Sequence, residues 1–226
     1  MIDLPHVEHH IQQHVLRHLT THRFARFRDM RPGQIDTNLY SYHLKLLIRL
    51  GYLEKTDQRY TLTIAGQAYV DRVNLSTAKR TLQPKVITML VIQDGYGNVL
   101  MYQKKRQPFI DKWTVPIGKV HNTDESIARA AEREVSEKIS DMAIEVSHVG
   151  DAYIRVTHEG EILISTLAHV FYGQVEELDN HHSDWEWVGL RTLSDRVTAP
   201  AIQQIISRVM FRDPYFFEEY TEELVQ

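Results

Sequence analysis

Residues 113–140 read WTVPIGKVHNTDESIARAAEREVSEKIS, and more of the architecture hangs on this stretch than on any other. Its second half has the spacing of an amphipathic helix. Ile127, Ala131, Val135 and Ile139 recur every four residues and form one apolar stripe. Glu134 and Glu137 are three residues apart, and Lys138 lies four beyond Glu134, so the three share another face. Carboxylates grouped in this way are hard oxygen ligands of the kind magnesium takes. The position that would extend the cluster holds a lysine. Glu125 stands near the helix start, where the macrodipole favours a negative charge.

Outward from the helix, the flanks read as strands. KVITMLVIQ (85–93) is a β-branched apolar run, DGYGN is a turn, and VLMYQKKR (99–106) is a second strand, so the pair predicts a hairpin. KWTVPIGKV is a further strand leading into the helix. WEWVGLRTL (185–193) reads as another strand and APAIQQIISRVMF (199–211) as a helix. The acidic tail FFEEYTEELVQ has Phe216, Phe217 and Tyr220 at helical spacing, with three uses open to it: packing on the winged helix, packing on a second subunit, or covering the core.

With these residues in place, 113–140 resembles the Nudix box, G-x5-E-x7-R-E-U-x-E-E-x-G-U, where U is aliphatic. Gly118 fits the first glycine, with one extra residue before Glu125. Seven residues then lead to Arg133-Glu134, Val135 is the aliphatic, and Glu137 opens the glutamate pair. Lys138, Ser140 and Asp141 depart from the pattern. The resemblance covers about residues 84–212 and implies an α/β/α sandwich with a mixed sheet. It also implies cleavage of a nucleoside diphosphate linked to a second group, with Mg2+ or Mn2+ as cofactor. Glu134 and Glu137 would then be catalytic metal ligands, joined by the Gly118 carbonyl. Arg133 would orient the cluster by pairing with Glu125. Lys138 and Arg106 would meet substrate phosphate. An outlying carboxylate often completes such a site, and Glu176, Glu177, Asp184 and Glu186 are candidates. Lys138 removes a ligand and adds a positive charge beside the metal. It either swings out to solvent or stands in for a metal as a point charge on phosphate.

The N-terminal third is a different module. VEHHIQQHVLRHLT (7–20) and TNLYSYHLKLLIRLG (37–51) are amphipathic helices, the second capped by Asp36 or Thr37, ended by Gly51, and with Leu39, Leu46, Leu47 and Leu50 able to face a core. YLEKTDQRYTLTIAG reads as a hairpin, with strands at 52–55 and 60–63, and 64–73 as a last helix. Helix, helix and then LIRLGYLEKTDQRYTLTIAG resembles the winged-helix family of DNA-binding domains, over roughly residues 5–73. The resemblance implies that helix 37–50 enters the major groove of double-stranded DNA. Asn38, Tyr40, Ser41, Tyr42, His43 and Lys45 would reach bases or phosphates, and Arg59 at the wing tip would touch phosphate. Winged helices also serve as dimerisation modules. His6, His10, His14, His18 and His22 form a stripe along the first helix, read as a polar flank or a pH-sensitive surface.

The polar segment 74–85, ending near Pro84, marks the boundary. The expected organisation is α+β: a winged helix-turn-helix over 1–75, a linker over 76–84 and a Nudix domain over 85–226. Residues 1–80 carry 12 Lys and Arg against 7 Asp and Glu, while the whole chain has a net charge of −4, so the rest is acidic. The two parts therefore suit different partners. The absence of cysteine excludes disulfides and thiolate chemistry. No apolar run suits a membrane span or a secretory signal, and a cytoplasmic protein is expected. Two functions follow. One is a ligand-responsive regulator that binds a nucleotide-type small molecule and DNA with weak or no hydrolysis. The other is an active Mg-dependent hydrolase whose winged helix makes a homodimer or targets the enzyme.

Overall fold

The computed structural model describes residues 7–74, 79–80, 83–139, 144–176, 184–211 and 215–224. The chain divides into two compact units, Met1–Leu82 and Gln83–Gln226. Among the described residues, no helix is long and apolar enough to cross a membrane.

The first unit runs α1 (His10–Thr21), β1 (Ala25–Arg26), α2 (Thr37–Arg49), β2 (Leu53–Thr56), β3 (Arg59–Leu62), α3 (Ile64–Arg72), β4 (Val73–Asn74) and β5 (Lys79–Arg80). Asp36 starts α2: its carboxylate accepts from the backbone N–H groups of Asn38 and Leu39 at 2.8 and 3.0 Å. Gly51, at φ 75°, supplies the left-handed stop. Asp57 and Gln58 both have positive φ and close the β2–β3 hairpin as a two-residue turn, with Thr56 opposite Arg59. Strand order is β1-β3-β2. Ile11, Val15 and Leu16 of α1, Leu44 and Leu47 of α2, and Tyr52 and Tyr69 make one core. Helix, strand, helix, two-stranded wing and helix is the arrangement of a winged helix. Leu39, expected to face this core, is 45% exposed, because the buried stripe of α2 runs through Tyr40, His43, Leu44 and Leu47.

The second unit runs β6 (Lys85–Gln93), β7 (Asn98–Gln103), β8 (Trp113–Thr114), β9 (Ile117–Lys119), α4 (Ile127–Lys138), β10 (Val146–His158), β11 (Glu161–Gln174), β12 (Trp185–Gly189), α5 (Ile202–Met210) and β13 (Phe216–Glu223). The sheet order is β12-β7-β6-β11-β10-β13, with β8 on β7 and β9 on β6. The pairs β6–β11 and β10–β13 are parallel and the others antiparallel, so the sheet is mixed. One face packs on α5 through Ile202, Ile205, Ile206 and Val209. The other packs on α4 through Ala131, Val135 and Ile139 against Leu90, Ile92 and Phe171. Strand β6 is buried on both faces, which is why its sequence is continuously apolar rather than alternating.

The acidic tail is a correction. It forms strand β13, parallel to β10, with alternating burial rather than a helical face. Phe216 is buried against Gly150, where an added Cβ would lie 2.4 Å from its ring. Two carboxylates near the end of the tail bond within the chain. Glu222 accepts from the N–H of Ala201 at the start of α5, at 2.6 Å. Glu223 accepts from Thr157 and from the N–H of Glu159, in the β10–β11 turn.

Candidate functional site

Ser126 caps α4, its hydroxyl accepting from Arg129 N–H, and the apolar stripe then fixes the rotation of the helix on the sheet. That rotation aims Glu134 at β9. Glu134 is 3% exposed. It fits because position 118 is glycine: a Cβ there would lie 1.9 Å from Glu134 Cδ. Arg133 donates to Glu134 Oε1 at 2.8 Å and to Glu137 Oε2 at 3.3 Å. Lys138 Nζ stands 2.6 Å from Glu134 Oε2 and donates to the Ile117 carbonyl at 2.5 Å.

Glu125 does not pair with Arg133. Asp124 does, accepting from Nε and Nη2 at 3.0 Å each, while Lys119 O takes a further bond at 3.0 Å. The Arg133 fork, helped by His121 N–H, holds the Asp124 carboxyl down at about 2. Glu125 is exposed. The extra residue in the motif therefore lies after the acid and not before it, since Gly118-x5-Asp124 keeps the family spacing. That spacing was the signal for Asp124, overlooked because the family pattern writes glutamate.

A cavity of about 470 Å³ opens beside these residues. Its lining includes Lys85, Lys104, Lys119, Arg133 and Lys138, five cations against Glu134 and Glu137. Tyr102, Phe109, Ile87, Met89, Ile154 and Ile202 supply apolar and aromatic wall. Burial pushes the Tyr102 phenol up, aided by Glu134, and pulls the Lys104 ammonium down, aided by Lys138. Phe109 and Asp111 hold left-handed backbone conformations, φ 64° and 62°. Such strain clusters at ligand clamps. Arg106 is exposed and is absent from this lining, and Lys104 takes its expected place. Of the outlying carboxylates, Asp184 pairs with Lys105 and Glu186 with Arg196. Glu176 is exposed, and Glu177 lies outside the described residues.

The donor set around Glu134 is already occupied by cations, which bears on magnesium. Both oxygens of Glu134 already face cations, and the adjacent Ile117 carbonyl accepts from the same Lys138. A dication about 4 Å from the Lys138 ammonium would feel roughly 8 kcal/mol of repulsion at an effective dielectric of 20. With Lys138 seated as it is, the residues do not fit a magnesium ion at Glu134. Another group with converging metal-ligand atoms is present among the described residues: His148, Asp151 and His169.

In the winged-helix unit, Asn38, Tyr42, Lys45 and Arg49 are exposed at helical spacing on α2, with Ser41 half-buried. Tyr40 and His43 are corrections, being 0% and 6% exposed. The Tyr40 hydroxyl donates to Phe27 O at 3.1 Å, and burial pushes its pKa up. The His43 ring stacks on His9 at 3.8 Å. Neither reaches a partner from there. Both lie on the buried stripe of α2, one turn apart. Arg59 covers the Phe24 ring at 4.4 Å and lines a concave surface with Arg23, Arg26, Arg28 and Lys55. The phrase RFARFR (23–28), three arginines interleaved with two phenylalanines, carries that signal in the sequence.

The fold and the box together define a Nudix-type sandwich that follows a winged helix in the chain. The NUDIX domain model matches residues 82–209, and the chain belongs to that family. No curated protein sequence matches it. Among solved structures, Shewanella oneidensis NrtR is 18% identical at a TM-score of 0.49, over 56% of this chain and 62% of that one. The Nudix domain of the same protein complexed with ADP ribose is 17% identical at 0.49, over 67% and 99%. The MutT protein of Bacillus halodurans is 22% identical at 0.48, over 61% and 90%. The chain thus spans less than two thirds of full NrtR. Likenesses at this level fix neither ligand nor reaction.

Proposed function

We propose that the Nudix unit binds a nucleoside-diphosphate-linked metabolite with weak or no hydrolysis, and that the winged helix, over about residues 1–75, binds DNA in response. The observation that carries this reading is Lys138. Its ammonium sits on Glu134 and the Ile117 carbonyl, where a metal would be needed. The cleft offers Lys85, Lys104, Lys119 and Lys138 to phosphate oxygens and the Tyr102 and Phe109 rings to a flat group. Arg133 and Asp124 then have a positioning role, holding Glu134 and the β9 edge together. Asn38, Ser41, Tyr42, Lys45 and Arg59, with Arg26 and Arg28, are the proposed DNA contacts.

The test is a panel of nucleoside diphosphate sugars, dinucleotides and triphosphates, assayed with magnesium and manganese. The expected outcome is negligible turnover with a ligand-dependent rise in Tm. Lys138→Glu should create or greatly raise metal-dependent cleavage. Efficient turnover by the parent chain, lost in Glu134→Gln, would instead establish the hydrolase. That second reading is favoured by Glu137, whose side chain is 56% exposed and free to turn toward an ion if Lys138 swings out.

A further inference from the structure

Strand β10 contains a bulge. Its register on β11 passes from His148 opposite Phe171 to Gly150 opposite Val170, so Val149 is an extra residue. In a regular strand, side chains three apart point to opposite faces. The bulge turns His148 onto the face of Asp151. His169 is paired directly opposite Asp151 on β11. By strand alternation, this face is opposite to the one that offers Ile154, Val156, Ile164 and Thr166 to the cleft. Helix α4 packs on the same face of the sheet as this cluster, but none of the three residues lines the cleft.

Asp151 Oδ1 lies 2.9 Å from His148 Nε2 and 2.7 Å from His169 Nδ1. Its other oxygen accepts from the Tyr215 hydroxyl. The three ligand atoms lie within 4.8 Å of one another. His148 is wedged between Phe171 and Tyr215, with ring centroids 5.1 and 5.5 Å away, which fixes its orientation. We propose that His148, Asp151 and His169 bind a divalent cation of zinc type, with the Tyr215 hydroxyl or a water beside it.

The donor set selects the ion. Two imidazoles and one carboxylate suit borderline metals, zinc above magnesium or calcium. With neutral rings, the cluster carries one negative charge and attracts a dication. Tetrahedral zinc at ordinary bond lengths separates its ligand atoms by about 3.3 Å. The present contacts need to open by only about half an ångström. Binding exchanges two N–H···O bonds for two nitrogen–metal bonds, and each ring tautomerises to keep its proton on the other nitrogen. The ion would tie β10, β11 and the start of β13 together, pinning the C-terminal edge strand.

The experiment uses the full chain, stripped with chelator and titrated with Zn2+ by calorimetry. The His18→Ala/His22→Ala variant serves as parent, since those stacked rings on α1 offer a competing pair. One equivalent of zinc is expected. Affinity should drop at least about tenfold in His148→Ala and in His169→Ala, as loss of a ligand should cost no less than loss of its outer-shell support. His148 is a surface ring, so its variant should fold, as far-UV circular dichroism will verify. Glu134→Gln/Glu137→Gln should bind zinc unchanged. Co2+ should give the visible absorption of a four-coordinate site in the parent and lose it in His148→Ala. Absence of saturable binding, equal affinity in folded His148→Ala, or loss of binding in the Glu134/Glu137 variant would each overturn the proposal. None of these outcomes bears on whether the cleft turns over a diphosphate.

Discussion

Lys138 and Gly118 act on the same carboxylate from two sides. Glu134 is buried, and a buried carboxylate without partners is costly. Arg133 supplies one cation and Lys138 another, so the charge is compensated with no metal. Gly118 supplies the space. Gly118→Ala would put a methyl 1.9 Å from Glu134 Cδ and 2.3 Å from Oε1. Glu134 would have to leave its place between Arg133 and Lys138. Destabilisation of the Nudix unit by about 1–3 kcal/mol is expected, typical of overpacking. Urea unfolding of the full chain measures it, and a Gly118→Ala midpoint equal to that of the parent would show that Glu134 moves freely. The same substitution should weaken diphosphate binding, since Lys138 and Arg133 would lose their anchor.

At the scale of elements, β13 holds the edge of the sheet. Phe216 is its buried residue in the main core, so Phe216→Ala should cost about 3–5 kcal/mol, read as a lowered Tm. The helices α1 and α2 meet through histidines. Burial, then the neighbouring His9 and His10, lowers the pKa of His43, and burial and His10 lower that of His9. A histidine with a lowered folded pKa binds fewer protons folded than unfolded. Its destabilising effect is therefore absent above the unfolded value of about 6.5 and grows as pH falls through it. Thermal unfolding of the full chain should shift down between neutral and mildly acid pH, and His43→Gln should flatten the shift. Local pattern made much of this fold legible. Strand β6, the stripe of α4, the Asp36 cap and the Gly51 stop all rest on contacts within a few residues. The β10–β11 hairpin was not read, although Glu159-Gly160 closes it with two positive φ values. Strand β11 is half-buried along much of its length, so its alternation is faint, although β10 alternates regularly from Gly150 to Thr157. The Glu134–Lys138 pair was legible in spacing, but Asp124 was not. Tyr40 and His43 were misplaced because a polar atom on an amphipathic helix does not reveal that its ring is buried.

Across the whole molecule, each of the two units carries its own basic surface. The winged helix brings Arg23, Arg26, Arg28, Lys55 and Arg59 to one concave surface, and the Nudix cleft brings five cations to another. Each is suited to phosphate, but DNA binding releases many counterions and a small diphosphate few. DNA affinity should therefore fall steeply with salt. Removing one phosphate contact, as in Arg59→Ala or Arg26→Ala, should reduce the slope of log affinity against log salt by about 1 without changing sequence preference. Ligand affinity should change far less over the same range. If the cleft regulates the winged helix, the coupling is reciprocal: the factor by which the metabolite changes DNA affinity must equal the factor by which DNA changes metabolite affinity. A factor of roughly 5–150 would correspond to the usual 1–3 kcal/mol of coupling. Measuring both affinities with and without the other ligand, at one salt concentration, closes the cycle. A factor of one in both directions would leave two independent binding modules on one chain, with the regulator reading gone and the diphosphate site intact.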